Sequence, residues 1–265
     1  MSEANQADNA WRQLANTADN KKGSIHDDAA AQKLGFKKAF VPGSVVANFA
    51  MPTILQHFGH AWLECGWYDF NFVSPVYIDE EVRTVCDDAS GVFTCRIETR
   101  AGRLCAHGTA GASGSLPPLQ TEGQTDDASV FPRAVLGTRF ELDIHIRRKD
   151  AEPLLTASHD KSVQWRDCVP PEHLMPIALH MIDFKKLPTD GVAHPGSWAQ
   201  HAISVHSQIH WDCDYHIVET LAEKGISGRT QYVTFQFHVF DQGDVEVAVG
   251  RHKCKFLRKL DGVEG

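Results

Sequence analysis

One order of elements occurs twice in this chain of 265 residues. In each half, a proline-opened apolar segment with helical spacing precedes several segments with strand character. A helix that is apolar on most of its surface and a one-faced sheet cannot bury themselves separately, so each sheet must cover its helix. The repeat therefore predicts an α+β protein with two buried helices, each wrapped by an antiparallel sheet. The halves share few identical residues, which indicates duplicated architecture rather than a sequence repeat.

The first helix is predicted in VPGSVVANFAMPTILQHFG, which begins at Val41. Its internal Pro52 predicts a kink or an early break, because proline removes a helical hydrogen bond and crowds the preceding turn. An aromatic run bounded by Pro75 is predicted to form the first strand of this half. The other strands of the half are predicted at 80–86, 91–99 and 102–112.

The second half repeats this plan with a predicted helix at 171–188 that also contains an internal proline, Pro176. A strand at 137–148 and a short helical piece around 150–160 precede it. The segment HAISVHSQIHWDC (201–213) is predicted as one long strand, and three more follow in YHIVETLAEKG, TQYVTFQFHVFDQG and VEVAVGRHKCKFL. We expect the two sheets to pair edge to edge, because that arrangement covers exposed strand edges.

Composition divides the chain around a stretch at 113–132 that is rich in Ser, Pro, Gly and acidic residues and therefore predicts a linker. The resulting boundaries are a polar N-terminal segment (1–22), a first unit (23–115), a linker (116–132) and a second unit (133–260). The first eighteen residues offer little apolar surface, so we expect them to be poorly ordered or peripheral.

Charge and cysteine usage limit the classes of partner. With 26 basic and 34 acidic residues the net charge is −8, which argues against nucleic acid as a partner. The first twenty residues contain no apolar signal region, and the longest apolar runs are too short and too interrupted to span a bilayer. Seven cysteines without a CxxC pair predict reduced thiols. These features predict a cytoplasmic protein without a membrane partner.

Five histidines between 194 and 216 raise the question of a metal site. On a strand at 201–213, His206 and His210 would share a face but lie about 13 Å apart at ~3.3 Å per residue. That separation is too large for one ion, so no metal site is expected. No GxSxG, phosphate-binding loop or dinucleotide motif is present in the sequence.

Two runs resemble a known family. IHDDAAAQKLGFKKAFVPGSVVANF, followed by YDFNFVSPVYIDEEV, is similar to the MaoC-like hydratase/dehydratase family of hotdog folds. The resemblance covers 23–115 well and 137–258 loosely, and it implies a double hotdog. It also implies a hydro-lyase of fatty acid metabolism that acts on 2-enoyl or (R)-3-hydroxyacyl thioesters. Coenzyme A would enter only as part of the substrate, with no separate cofactor.

The family motif assigns candidate roles to individual residues. Its aspartate and histidine activate water and move the proton, and a main-chain N–H at the helix start polarises the thioester carbonyl. His26 stands at the motif histidine and Asp28 at the aspartate that follows it. Gly43 and Ser44 stand at the helix start, where substrate and oxyanion would bind.

The motif aspartate is replaced in this chain. Lys21 stands at its position, five residues before His26, and a lysine acts as a base only when its pKa is strongly depressed. Asp19, two residues earlier, is the nearby carboxylate that could take over after a loop adjustment. The candidate catalytic residues are therefore His26, Asp19 and Asp28.

Other interpretations of the same residues stay open. Asp27 or Asp28 could simply cap the helix of DAAAQKLG. DCVPPEH in the second half imitates the motif, with Asp167 six residues before His173, although a proline-opened helix also explains it. The chain could be a hydratase or dehydratase, a hotdog thioesterase, or a non-catalytic acyl-binding or assembly subunit. We expect a homodimer with a narrow apolar cleft where the two hotdogs meet.

Overall fold

The structure is a computed structural model that describes residues 10–18, 22–88, 92–119, 134–182, 196–228 and 230–257. The helices of the first half are α1 (Asp28–Lys33), α2 (Gly43–Asn48), α3 (Met51–Phe58) and α4 (Trp62–Cys65). Its strands are β1 (Arg12–Gln13), β2 (Trp67–Phe72), β3 (Glu81–Asp87), β4 (Phe93–Thr99) and β5 (Leu104–Gly111).

The second half has the same plan. Its helices are α5 (Arg148–Ala157) and α6 (Leu174–Met181), with 3-10 turns at Val163–Arg166 and Pro171–His173. Its strands are β6 (Arg139–Ile146), β7 (Gly196–Val205), β8 (Cys213–Ser227), β9 (Thr230–Phe240) and β10 (Glu246–Leu257).

The described strands form one ten-stranded antiparallel sheet in the order β1-β3-β4-β5-β2-β7-β10-β9-β8-β6. The order is symmetric about its centre, because β1, β3, β4, β5 and β2 correspond to β6, β8, β9, β10 and β7. The two halves meet where β2 pairs with β7, from Trp67↔Ser204 to Asn71↔Gln200. The expected edge-to-edge pairing and the α+β class are confirmed.

The first central helix is interrupted as its proline predicts. α2 ends at Asn48 and α3 begins at Met51, with Pro52 in the first turn of α3. Five of the six residues of α2 are buried, from Ser44 to Asn48. This helix therefore packs inside the sheet, and each large apolar side chain buried with it contributes about 1.5–3 kcal/mol.

The N-terminal residues differ from the expectation. Leu14 is 1% exposed and belongs to the main apolar core. β1 pairs with β3 through Arg12↔Val82 and Gln13↔Glu81. Residues 10–18 are therefore part of the fold, because one leucine fills the core and two residues cover a strand edge. Residues 1–9 lie outside the description.

The long strand predicted at 201–213 is wrong in its second part. β7 ends at Val205. Beyond it, the carbonyl of Ile209 accepts a hydrogen bond from the N–H of Val169, and His210 bridges to Cys168. These contacts hold the segment against the start of the second central helix. His206 and His210 therefore do not share a strand face.

The expectation that all thiols are reduced is also wrong. Cys86 on β3 and Cys95 on β4 lie directly opposite each other, with their Cα atoms 4.2 Å apart, and form a disulfide. The spacing of cysteines along the chain did not reveal this pair, because the pairing depends on strand register. The other cysteines are free.

The predicted domain boundaries remain predictions, since most of the linker at 116–132 lies outside the description. No helix among the residues described is long and apolar enough to cross a membrane.

Candidate active site

His26 is held in one orientation by the backbone ahead of α2. It lies between β1 and α1, partly buried, and its Nδ1 is 2.7 Å from the carbonyl oxygen of Phe40. A carbonyl only accepts, so Nδ1 donates and Nε2 carries the lone pair of the neutral ring. The ring also packs edge-on against the ring of Phe40, with centroids 5.8 Å apart. This tautomer and orientation are suited to a general base that acts through Nε2.

The two aspartates after His26 have structural contacts. Asp27 caps α1, because its Oδ1 accepts a hydrogen bond from the N–H of Ala30 at 3.0 Å. Asp28 Oδ1 accepts from the N–H of Ala39 at 2.7 Å. Ala39 precedes Phe40, so Asp28 fixes the segment whose carbonyl orients His26. A positioning role follows for Asp28 from this geometry, while its catalytic role stays a prediction.

The same segment leads directly into the helix start. Gly43 comes three residues after Phe40, and three extended residues span at most about 11 Å. The N–H groups of Val45 and Val46 both donate to the carbonyl of Pro42. The N–H groups of Gly43 and Ser44 therefore lie ahead of the first helical hydrogen bond, where a helix presents donors to an anion.

Gly43 lies at the junction of the two halves. A Cβ built on it would come within 2.8 Å of Trp198 Cε3 on β7 and 3.3 Å of Phe72 Cζ on β2. Both aromatic rings close on the start of α2, and only a residue without a side chain fits there. The helix start and the two apolar rings thus lie together, and the carbonyl that orients His26 belongs to the residue three positions before Gly43.

Asp19 and Lys21 lie outside the described residues, and so do residues 183–195 ahead of β7. The position of the replacement carboxylate and the shape of the expected apolar cleft therefore stay predictions.

The alternative motif in the second half is not assembled in the same way. His173 is 7% exposed, its ring lies 6.4 Å from that of Trp211, and burial lowers its pKa to about 4. Asp167 ends a 3-10 turn and is exposed. Between them, Glu172 is fully buried beside Tyr68, and burial raises the pKa of its carboxyl to about 8.

Sequence reasoning did not predict that Glu172 is buried, nor that the second half buries further ionisable side chains. Glu219 and His252 are completely buried, with Oε1 and Nε2 3.0 Å apart. His201 lies beside His252 in the register of β7 and β10, and burial lowers its pKa well below the usual range. The alternation along β8 carried a signal, since Glu219 occupies the inward-facing position between Ile217 and Leu221.

No group of three histidine, cysteine, aspartate or glutamate side chains within the described ranges could hold a metal ion. The carboxylate of Glu246 contacts His206 at 3.1 Å and His238 at 2.6 Å.

No protein family model matches this chain, and no curated protein matches it. Solved structures do. One from Chloroflexus aurantiacus, named as a MaoC domain protein dehydratase, is 11% identical with a TM-score of 0.61, over 95% of this chain and 94% of that one. A Mycobacterium tuberculosis protein that has a double hotdog fold is 11% identical with a TM-score of 0.57, over 88% and 87%.

A third similar structure, named as an oleoyl thioesterase from Lactobacillus plantarum, is 9% identical with a TM-score of 0.51, over 96% of this chain and 99% of that one. At these identities the similarity establishes the fold, and this chain is a double hotdog.

Proposed function

We propose that this chain is a MaoC-like hydratase or dehydratase that acts on 2-enoyl or 3-hydroxyacyl thioesters of coenzyme A. The observation that supports this most directly is the hydrogen bond from His26 to the carbonyl of Phe40. It orients an imidazole on the backbone segment that also opens α2. The motif residues support the reaction class, and the similar dehydratase structure supports the fold.

The chemistry requires a proton carrier and a site for developing negative charge. In hydration, Nε2 of His26 would take a proton from water as the hydroxyl adds to C3, and the proton is then returned to C2. Charge develops on the thioester oxygen, where the N–H groups of Gly43 and Ser44 would donate. The acyl chain would lie against Phe72 and Trp198, the rings that close on Gly43. Dehydration runs the same steps in reverse.

The lysine at the motif position should limit the rate. A cation at residue 21 cannot accept a proton unless its pKa falls strongly, so we expect weak hydration at most. Asp19 is the carboxylate that would act together with His26 in proton transfer. Replacing Lys21 with aspartate should restore the family pattern and raise the rate.

The test follows the loss of enoyl absorbance with crotonyl-CoA for the wild type, His26→Ala, Asp19→Ala and Lys21→Asp. We expect loss of at least about 100-fold in His26→Ala, since a positioned acid or base contributes 10²–10⁴-fold. Lys21→Asp should exceed the wild type. His145→Ala is the matched control, because His145 is exposed and pairs with Asp214 in the other half.

The other outcomes identify the alternatives. Strong activity that survives His26→Ala would move the active site, with Asp167 and His173 as the next candidates. Release of the free thiol of coenzyme A without loss of enoyl absorbance would favour a thioesterase, the activity in the name of the Lactobacillus plantarum structure. Inactivity of all variants together with tight acyl-CoA binding would favour a binding or assembly subunit.

We also propose a homodimer. The ten-stranded sheet ends at β1 and β6, whose outer edges have no neighbouring strand among the residues described. Sedimentation equilibrium would give the mass, and a monomer at micromolar concentration would contradict the proposal.

A further inference from the structure

A cavity of about 440 Å³ lies between α3, the segment that follows α5, and the N-terminal strand. Its lining does not include His26, Gly43 or Ser44, so it is separate from the candidate active site. The volume is within the range of about 300–1,000 Å³ that is typical of small-molecule sites.

The described lining carries two cationic side chains and no carboxylate. Arg12 and Lys161 are the cations, and none of the other described lining residues is acidic. Neither Arg12 nor Lys161 has a carboxylate within ion-pair distance among the residues the structure describes, although the whole chain has a net charge of −8. Two cations that have no acidic partner among the described residues therefore line the same space.

The carboxylate next to Lys161 in the chain is turned away from this space. Asp160 precedes Lys161 in the chain but is 5% exposed, and its oxygens accept hydrogen bonds from Asn48, Trp165 and Ser162. These contacts hold its charge in the interior. Lys161, the next residue, lines the cavity instead.

The lining also includes apolar side chains, beside Thr53 and Gln56 of α3. Phe49, Pro52 and Leu55 follow each other at intervals of three residues, which places them on one face at the α2–α3 break and along α3. A ligand in this cavity would therefore contact apolar side chains as well as the two cations.

The cavity is formed by segments that are fixed in place. His159 has a positive φ of 57°, which turns the chain out of α5, and its Nε2 bonds the carbonyl oxygen of Gln13 at 2.8 Å. The N–H of Ala15 donates to the carbonyl of Ala157. A left-handed histidine is strained and persists only where neighbouring contacts hold it.

We propose that this cavity is a binding site for a small amphipathic anion, a carboxylate or phosphate carried on a short apolar body. The anionic head lies between Arg12 and Lys161, and the apolar body lies against Phe49, Pro52 and Leu55. The proposal does not depend on the reaction at His26, because the two sites share no lining residue.

The binding test is isothermal titration of the full chain with octanoate, octyl phosphate, octanol and inorganic phosphate. At least one of the two amphipathic anions should bind about tenfold or more tightly than octanol and inorganic phosphate. Comparison of octanoate with octyl phosphate shows which head the site accepts. Binding should weaken as salt is raised, since the cations are exposed to solvent.

Variants locate the site. Arg12→Gln and Lys161→Gln should each raise the Kd about tenfold, and the double variant should bind no better than octanol. Lys149→Gln, an equal charge change on exposed α5, is the matched control and should leave the Kd unchanged. His26→Ala should also bind as the wild type does.

Three results would overturn the proposal. They are no binding of either amphipathic anion, equal weakening by Lys149→Gln, or loss of binding in His26→Ala, which would place the anion at the other site. Thermal unfolding without ligand checks that each variant is folded.

Discussion

The two halves share a topology, but their central helices begin differently. The first starts Val-Pro-Gly-Ser at 41–44 and the second Val-Pro-Pro-Glu at 169–172. The positions correspond in the structure. The N–H of Val41 donates to the carbonyl of Val76, and that of Val169 donates to the carbonyl of Ile209, both at 2.8 Å.

The difference shows which half can use its helix start for chemistry. Gly43 has an N–H and leaves room for a neighbour, whereas Pro171 has no N–H to donate. The next residue is Ser44 in the first half and a buried Glu172 in the second. Both of these residues keep a main-chain N–H, so the second helix start offers one donor at these two positions where the first offers two. Only the first half therefore provides a main-chain site of this kind.

The two halves also differ in the kind of side chain that they bury. The first helix buries Val45, Val46 and Ile54 against the sheet, and His26 stays at the edge of that core. The second half buries ionisable groups, among them Glu172, His173 and His201 with Glu219 and His252. Proton equilibria should therefore control the stability of the second half and the activity of the first.

The largest expected effect concerns Glu172. Burial raises the pKa of its carboxyl from 4.5 to about 8, so the folded state favours the neutral acid. The stability from this group is complete below pH 4.5 and is lost as pH rises to 8, at about 1.4 kcal/mol per pH unit. Glu172→Gln should be more stable than the wild type at pH 8, and the difference should vanish near pH 4.5.

Urea unfolding from pH 4.5 to 8 measures this difference, and Glu152→Gln on the exposed face of α5 is the control. If the wild type and Glu172→Gln had parallel pH profiles, the carboxyl would be ionised in the fold and the contrast between the two interiors would be wrong.

Next in size is an exchange of the two helix starts. Gly43→Pro removes one N–H, as in the second half, and should lower kcat about 10²–10³-fold. Pro171→Gly should leave kcat unchanged. The measurement uses crotonyl-CoA in the Lys21→Asp background, where the rate is expected to be highest.

Gly43→Ala separates the donor from the steric effect. It keeps the N–H, but its Cβ meets Trp198 Cε3 at 2.8 Å, so any loss it shares with Gly43→Pro comes from crowding. Equal rates in Gly43→Ala and Gly43→Pro would contradict a role for the N–H.

A smaller effect on the free energy of unfolding is expected at acidic pH. Burial lowers the pKa of His173 from 6.5 to about 4, so the folded state resists protonation. The stability from this group is complete above pH 6.5 and is lost as pH falls to 4, by about 3 kcal/mol in total. His173→Asn should reduce this loss of stability in part, and His201, whose pKa burial also lowers, contributes to the loss that remains.

Thermal unfolding between pH 4 and 7 checks this, with His145→Asn as the exposed control. An unchanged acid limb in His173→Asn would show that this ring is protonated in the folded protein.

The smallest effect concerns α1 and α5, the helices that precede the central helix of each half. Asp27 caps α1, whereas the N-cap of α5, Arg147, makes no capping side-chain bond. Asp27→Ala should lower the free energy of unfolding by about 1 kcal/mol in urea titrations. Arg147→Ala should cost less, because its ion pair with Asp150 is exposed. A larger loss in Arg147→Ala than in Asp27→Ala would contradict the proposed difference in helix capping between the halves.

Local patterns were enough to predict most elements. Alternation and turn residues located β3, β4 and β5 within a few residues, and Pro52 marked the helix break. β7 was overextended because the residues after Val205 alternate in the same way, and only the distant bridge from Cys168 to His210 ends the strand.

The site was predictable in identity but not in geometry. The spacing of the motif selected His26, but its hydrogen bond to Phe40 depends on how α1 folds back. Asp28 was assigned as a cap or catalyst, and its contact with Ala39 spans eleven residues. The place of Glu172 beside Tyr68 joins residues about a hundred positions apart, which no local pattern encodes.

The pairing of β2 with β7 has a consequence for how the chain can be divided. Strands more than a hundred residues apart in sequence lie at the centre of the sheet, so this pairing forms only after most of the polypeptide has been made. A fragment cut at the linker would present a strand with open backbone donors and acceptors and an aromatic face, a template for wrong association. We therefore expect the halves to fold as one unit, although each repeats the architecture of the other.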